Sequence, residues 1–374
     1  MGRKPLIGAG NAGPNAEPPF HRLTTHTEVT LTSPNTSTYW NDDLTVVIPH
    51  FGSYDLLRQC LRELSPSRVA TIVVEDGCYE KEIRDDFPNV RFVTLSRNSG
   101  FAAACNRGLA AVDTACVAFL NNDAFVTPNW QTPLLDALSR DEDVAICQPK
   151  LLSAKNAGYF DYAGAAGGLI DRYGYPFCRG RIFDEIERDE GQYDSPREIF
   201  WAGGAAFAAR TADIRSVGGF DETLFAFHEE LDLCWRLRAR GKKIVFVPES
   251  RIFHVGSATW DSMAVRRAYL LHRNSIIVLL KNCPRSELGL VLGARYFLEL
   301  ASAAYFFVGG HPNRAAAVVR ALVWNLWRSP ATLRRYRSSE EQPVPRDLSP
   351  FVYPKSIAIA RFLGKVTRFS ELKW

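Results

Sequence analysis

The chain lacks paired cysteines. Its eight (Cys60, Cys78, Cys105, Cys116, Cys147, Cys178, Cys234 and Cys283) stand singly, several inside apolar runs such as Ala-Cys-Val-Ala-Phe-Leu. With no Cys-x-x-Cys spacing a structural zinc framework is excluded, and the thiols read as reduced, mostly buried side chains of a cytosolic protein. Charge of one sign is also missing: 45 basic residues against 41 acidic ones leave only +4. A dedicated nucleic-acid binder would carry a clear basic excess, so no nucleic-acid partner is expected. No apolar run of signal-peptide length follows Arg3 and Lys4, where Gly, Asn and Pro dominate, so export is not indicated. No Gly-x-Gly-x-x-Gly turn follows the first apolar strand, where Pro49-His-Phe-Gly stands. That counts against a nicotinamide oxidoreductase.

What the chain does have is enough apolar material for a large core: 374 residues, 46% of them hydrophobic. Residues 1–43, rich in Gly, Pro, Thr, Ser and Asn, read as a flexible lead-in, with only the alternation Glu28-Val-Thr-Leu-Thr hinting at a strand. From Leu44 the texture changes. The runs Leu44-Thr-Val-Val-Ile-Pro, Ala70-Thr-Ile-Val-Val, Arg91-Phe-Val-Thr-Leu and Cys116-Val-Ala-Phe-Leu alternate with amphipathic stretches near 54–64, 100–112 and 129–138. β-branched runs alternating with helical patterns predict a doubly wound, mostly parallel α/β sheet covered on both faces. In such sheets ligands bind beyond the carboxyl ends of the strands. Three of those ends are polar: Glu75-Asp76-Gly77, Arg97-Asn98-Ser99-Gly100 and Asn121-Asn122-Asp123. Residues 153–198, rich in Gly, Tyr and charge with weak periodicity, predict a long binding excursion over the sheet. Helices are expected near 211–217 and 229–240, and a last strand from Lys243 leads to His254.

Three constellations carry candidate chemistry. Asn121-Asn122-Asp123 offers hard oxygen ligands at a strand end, as a cation bridging two phosphates requires, although Asn and Asp are also ordinary turn formers. Glu229-Glu230-Leu231-Asp232 opens a helix, where the helix dipole alone favours carboxylates. After an aromatic approach through Phe225 and Phe227, a carboxylate near Glu230 can equally be the base that deprotonates an acceptor hydroxyl. His254 closes the next strand. A lone His there is more often structural, but beside Asp123 it completes a mixed oxygen and nitrogen cation site.

Taken in order, Val-Val-Ile-Pro, Glu75-Asp76-Gly77, Asn98-Ser-Gly-Phe-Ala-Ala-Ala-Cys-Asn106, Leu-Asn121-Asn-Asp123, Gly203-Gly204, Gly218-Gly-Phe-Asp221, Glu229-Glu230-Leu-Asp232-Leu-Cys-Trp-Arg236 and His254 resemble glycosyltransferase family 2, especially its rhamnosyltransferase-like members. The resemblance runs from about Leu44 to Lys281. It implies a GT-A fold, a nucleotide diphosphate sugar donor, Mg2+ or Mn2+ as cofactor, and inversion at the anomeric carbon. By the same likeness Pro49, Glu75, Asp76, Asn98, Gly100, Asn106, Asn122 and Arg236 hold the donor nucleotide and its diphosphate. Asp123, Asn121 and His254 take the metal, Glu230 acts as base with Glu229 and Asp232 beside it, and Trp201, Gly203 and Gly204 line the sugar or acceptor pocket. The sequence departs from the family pattern in having Glu75 where Asp is usual, Asn121 in place of a second carboxylate, and Glu230 in place of an Asp.

Residues 44–282 are thus expected to form the catalytic domain, and 283–374 a helical, basic, membrane-peripheral region. A membrane span over 287–307 is disfavoured because Arg295 and Glu299 sit inside it at i,i+4 spacing, where they can pair. No acidic residue occurs between Leu300 and Ser339, whereas Arg314, Arg320, Arg328, Arg334, Arg335 and Arg337 do. A helical wheel sets Arg314, Arg320 and Arg328 against Val318, Val319, Leu322 and Leu326, which with Trp324 and Trp327 suggests an interfacial helix on anionic lipid. A solvated basic face packed on the catalytic domain is the competing reading. The expected function is transfer of a sugar, rhamnose from dTDP-rhamnose being one candidate, to a glycan or lipid-linked acceptor in cell-envelope polysaccharide synthesis at the inner face of the cell membrane. The alternative is a non-catalytic sugar-nucleotide or glycan-binding protein of the same fold.

Overall fold

The computed structural model describes residues 43–256, 263–337 and 348–374. The strand hinted at near residue 28 lies outside them, as does the side chain of Arg337. Tyr39–Trp374 forms one compact unit. In chain order the strands are β1 (Leu44–His50), β2 (Ala70–Asp76), β3 (Arg91–Leu95), β4 (Cys116–Leu120), β5 (Ala124–Val126), β6 (Val144–Ser153), β7 (Gly168–Asp171), β8 (Pro176–Cys178), β9 (Arg181–Ile182), β10 (Glu185–Ile186), β11 (Arg197–Glu198), β12 (Ala206–Arg210), β13 (Lys243–His254) and β14 (Val352–Tyr353). The helices are α1 (Tyr54–Leu64), α2 (Glu82–Asp86), α3 (Phe101–Leu109), α4 (Gln131–Arg140), α5 (Thr211–Ser216), α6 (Glu229–Ala239), α7 (Ala264–Asn282), α8 (Arg285–Val308), α9 (Pro312–Arg337) and α10 (Ile357–Phe362).

The main sheet runs β11-β13-β6-β12-β4-β1-β2-β3, with β5 on β13. The four strands read from apolar runs are parallel neighbours in the order β3-β2-β1-β4, and β1 is buried along its whole length, as a strand covered on both faces must be. β12 then enters antiparallel between β4 and β6. The architecture is therefore a mixed, mostly parallel GT-A-like sheet followed by helices. The antiparallel insertion puts Gly203, Gly204 and Ala205 beside the end of β4, where Asn121 N–H donates to Ala205 O at 2.9 Å.

The excursion expected at 153–198 is not a bare loop. It folds into a second sheet, β10-β9-β8-β7, whose edge is completed by β14 from the far end of the chain. The sequence pattern could not show this because the strands are two to four residues long and their partner is almost two hundred residues away. Asp171 ties the join: its carboxylate accepts from the backbone N–H of Tyr173, Tyr175 and Ile357. The carboxyl-terminal residues also reach α6, with the Arg238 guanidinium 4.1 Å from the Phe351 ring.

The helical wheel drawn for α9 needs correction. Val318 and Leu322 are buried, Leu322 in a cluster with Ile276 and Leu280 of α7, whereas Val319, Val323, Leu326 and Trp327 are exposed. The apolar stripe is wider than one face because α9 packs on α7 and α8 and still presents apolar side chains outward. The eight cysteines are free.

Candidate active site

A cavity of about 980 Å³ opens where β1, β2, β4 and β13 end, the position that the doubly wound topology favours for a ligand. Its polar floor includes Pro49, Asp76, Asn98, Gly100, Asn121, Asn122 and Asp123, together with His254, Glu229 and Glu230. Side chains separated by up to two hundred residues in the chain therefore share one cleft. Trp201 and Gly204 also line it, Trp201 with its indole N–H given to Leu169 O at 2.9 Å.

The strand-end loops hold their shape through buried carboxylates. Asp76 accepts from the backbone N–H of Ser99 at 2.6 Å and of Gly100 at 2.8 Å, so the two polar turns are one unit. Gly100 has φ +97°, and a Cβ there would meet Phe225 at 2.5 Å. Asn122 reaches His50 Nδ1 at 2.8 Å, and burial pushes the His50 imidazole down to about 4, so it stays neutral at the cleft.

At the end of β4, Asp123 Oδ1 lies 3.0 Å from His254 Nε2, and the Asn121 amide lies 3.2 Å from the same nitrogen. Burial opposes ionisation of both Asp123 and His254. Their mutual attraction wins, so the Asp123 carboxyl falls below its usual range and the His254 imidazole, which also faces Asp161, rises to about 10. A carboxylate, an amide and an imidazole converging at a cleft suit a hard or borderline divalent cation that keeps positions for phosphate oxygens and water. Among the described residues no three His, Cys, Asp or Glu side chains are grouped so as to hold a metal ion by themselves. The sequence reading missed Asp161. Its Oδ2 sits 3.1 Å from His254 Nδ1 and is pinned by the Ala163 N–H at 2.6 Å. A carboxylate behind the outer nitrogen of a ligating His fixes the tautomer and aims Nε2 at the cleft.

The carboxylates at the start of α6 are delivered by a strained turn. Phe225, Phe227 and His228 all have φ between 66° and 70°, a conformation that bulky residues adopt only when their surroundings enforce it. Asn274 of α7 does so: its Nδ2 lies 2.8 Å from the carbonyl oxygens of Leu224, Ala226 and Phe227. No motif in the sequence pointed to Asn274. The turn brings Glu229 and Glu230 into the cleft with Glu229 Oε2 and Glu230 Oε2 buried and without hydrogen-bond partners. Burial raises both carboxyls, and their mutual repulsion raises Glu229 further.

Five sequence-derived assignments are corrected. Glu75 does not line the cleft: it is fully buried, and its carboxylate is spent on Tyr54, Arg84, Thr94 and the Glu80 N–H. Asn106 is consumed in clamping α3 to the turn before α6, donating to Phe220 O and Glu222 and accepting from the Phe220 N–H. Arg236 spends its guanidinium on Asp232, Val217 O and Gly219 O, between 2.6 and 2.8 Å. Asp232 faces away from the cleft into an ion cluster with Arg236 and Lys281. These follow from helical geometry: Asp232 and Arg236 are i,i+4 neighbours on one face, two positions round from Glu230. Gly203, finally, is small for the protein rather than for a ligand, since a Cβ would meet Ala163 O at 2.0 Å, whereas at Gly204 the nearest atom, of Glu230, is 3.7 Å away. Gly203→Ala is expected to lower the thermal midpoint by several degrees, while Gly204→Ala leaves it within a degree or two; a melting curve of each decides it.

Residues 45–183 match the family model for glycosyl transferase family 2. A pre-mycofactocin glycosyltransferase of Mycobacterium tuberculosis is 31% identical over 235 residues, which cover 61% of this chain and 46% of the relative. An N-acetylglucosaminyl-diphospho-decaprenol L-rhamnosyltransferase of the same organism is 29% identical over 184 residues, 45% of this chain and 59% of the relative. The chain thus spans about half the length of these curated relatives. Among solved structures, a mannosyltransferase from Pyrobaculum calidifontis in complex with GDP-Man and Mn2+ superposes with a TM-score of 0.47 at 15% identity, covering 80% of this chain and 82% of that one. The residues similar to that family run from β1 to β9 and include every strand-end residue from Pro49 to Asp123.

Proposed function

We propose that the protein is a metal-dependent, inverting glycosyltransferase that moves a sugar from a nucleoside diphosphate to an acceptor hydroxyl. One observation carries the reading: the Glu230 carboxylate, whose Oε2 has no hydrogen-bond partner, and the Asp123–His254 pair open on the same cleft at the strand ends. Asp76, Asn98 and Gly100 border the nucleotide side. Asp123, His254 and Asn121 hold Mg2+ or Mn2+, which when bound neutralises charge building on the leaving diphosphate. Arg266 and Arg267, which also line the cleft, replace Arg236 as the cations that meet that diphosphate. Glu230 takes the acceptor proton as the hydroxyl oxygen bonds to the anomeric carbon. The bond from that carbon to the diphosphate oxygen breaks on the opposite face, so a single displacement inverts the centre.

Similarity to the L-rhamnosyltransferase relative supports a rhamnose donor, with dTDP-rhamnose the one to test first. The basic residues of α9 support peripheral attachment to the inner face of the cell membrane. The test is release of nucleoside diphosphate from a panel of nucleotide sugars, with EDTA and with Mn2+ or Mg2+ restored. Metal-dependent release with at least one donor is expected; release unchanged by EDTA sinks the metal role, and none from any donor under any condition sinks the activity. For Asp161→Asn the expected result is Mn2+ binding weakened about 10–100-fold with the fold intact, read by calorimetric titration.

A further inference from the structure

α8 buries its charged pair and turns its large apolar side chains outward. Its buried positions, Val291, Arg295, Glu299 and Ala303, recur every four residues, and they include its charged pair. Arg295 Nε donates to Glu299 Oε1 at 2.7 Å, the Tyr175 hydroxyl donates to the same oxygen at 3.2 Å, and His272 pairs with the other carboxylate oxygen. The opposite side carries Leu290, Phe297, Leu300, Phe307 and Val308, exposed by 71% at Phe297 and 86% at Val308. A helix whose outer side met water would show the reverse pattern. Its 24 residues are long and apolar enough to cross a membrane, yet Arg295 and Glu299 are tied to the protein, which fits a helix lying along a bilayer rather than through it.

The outer side of α8 does not end at the helix. The Tyr305 ring lies 5.4 Å from that of Phe362 of α10 and tilted against it, beside the exposed Ile359 and Leu363. Phe297, Tyr305, Ile359, Phe362 and Leu363 are at once exposed and part of the wall of the cleft that holds Asp123 and Glu230. The adjoining α9 adds exposed Leu326 and Trp327 together with exposed Arg320, Arg328, Arg334 and Arg335, in a stretch without any acidic residue. Apolar side chains, an exposed indole and unopposed arginines are what an anionic lipid surface matches.

We propose that this apolar rim rests on an anionic bilayer and admits from it the hydrocarbon chain of a membrane-resident acceptor whose hydroxyl reaches Glu230. The acceptor part of this inference rests on the glycosyltransferase reading; the lipid part does not. The experiment uses the full chain with vesicles of phosphatidylcholine, with and without phosphatidylglycerol, carrying a diazirine-labelled phosphatidylcholine. The wild type is expected to sediment with the anionic vesicles, and light should label peptides containing Phe297, Tyr305 and Phe362. The double variant Phe307→Glu with Val308→Glu, at positions outside the cleft, should bind at least ten-fold more weakly while keeping its circular dichroism, and Phe307→Leu should bind like the wild type. Absence of vesicle binding, equal binding by the double variant, labelling confined to other peptides, or a dimer dissolved by the double variant in place of vesicle binding would each overturn the proposal. Donor hydrolysis without vesicles reads the glycosyltransferase assignment separately: its failure with lipid binding intact removes that assignment and the acceptor part that rests on it, and leaves the lipid part standing.

Discussion

Glu230→Gln is expected to lower kcat by about 10²–10⁴-fold while leaving donor affinity and the melting temperature near those of the wild type. Gln keeps the size and the hydrogen-bonding reach of the side chain and removes only its ability to take a proton. The pH profile gives the sharper test. Burial pushes the Glu230 carboxyl up to about 7, and Glu229 beside it is raised further, so near neutrality the two groups hold protons that water would have removed. Activity in the wild type should therefore rise as pH increases through about 7, since only the ionised form accepts the acceptor's proton. Stability runs the other way. The folded chain binds these protons more tightly than the unfolded chain does, so the pair's contribution is present below the usual carboxyl range near 4.5 and is lost as pH rises toward 7. An activity limb that rises while the melting temperature falls would tie both effects to this pair; a profile in Glu230→Gln with the wild-type shape and height would remove Glu230 as the base.

Asp123→Ala is expected to abolish metal-stimulated turnover, a loss of about 10³-fold for a cation that supplies several kcal/mol of charge stabilisation. Truncation also strands His254, whose imidazole then keeps only Asp161 as an anionic partner. Mn2+ titration should show no saturable binding in Asp123→Ala. His254→Ala should weaken it as well, because the imidazole Nε2 lies 3.0 Å from Asp123 Oδ1. Turnover in Asp123→Ala that still responds to Mn2+ as in the wild type would place the cation elsewhere. The two predictions are separable: Glu230→Gln keeps metal binding and loses chemistry, whereas Asp123→Ala loses both.

The sequence by itself determined the first half of the sheet. Four β-branched runs pair as parallel neighbours, three of them inside the sheet and β3 at its edge, and the polar turns that follow them then emerge at one end of the strands. That is why Asp76, Asn98, Asn121 and Asp123 could be picked out before any coordinates. It also determined that α8 would pair Arg295 with Glu299, since that depends only on helical spacing. The tertiary structure alone decided which polar residues face the cleft. Glu75 lies on the same strand as Asp76, yet successive side chains on a strand point to opposite faces, and Arg84 and Thr94 claim Glu75 from the other side. Arg236 and Asn106 sit in motifs as suggestive as any, but backbone carbonyls over a hundred residues from Asn106, and in a neighbouring turn for Arg236, saturate them. Asp161 and Asn274 could not be found in advance, because each acts on a partner about fifty or more residues away and leaves no local pattern. Spacing in the chain fixes what is adjacent on one strand or helix; whether a polar atom is left free to do chemistry depends on every donor and acceptor that folding brings to it.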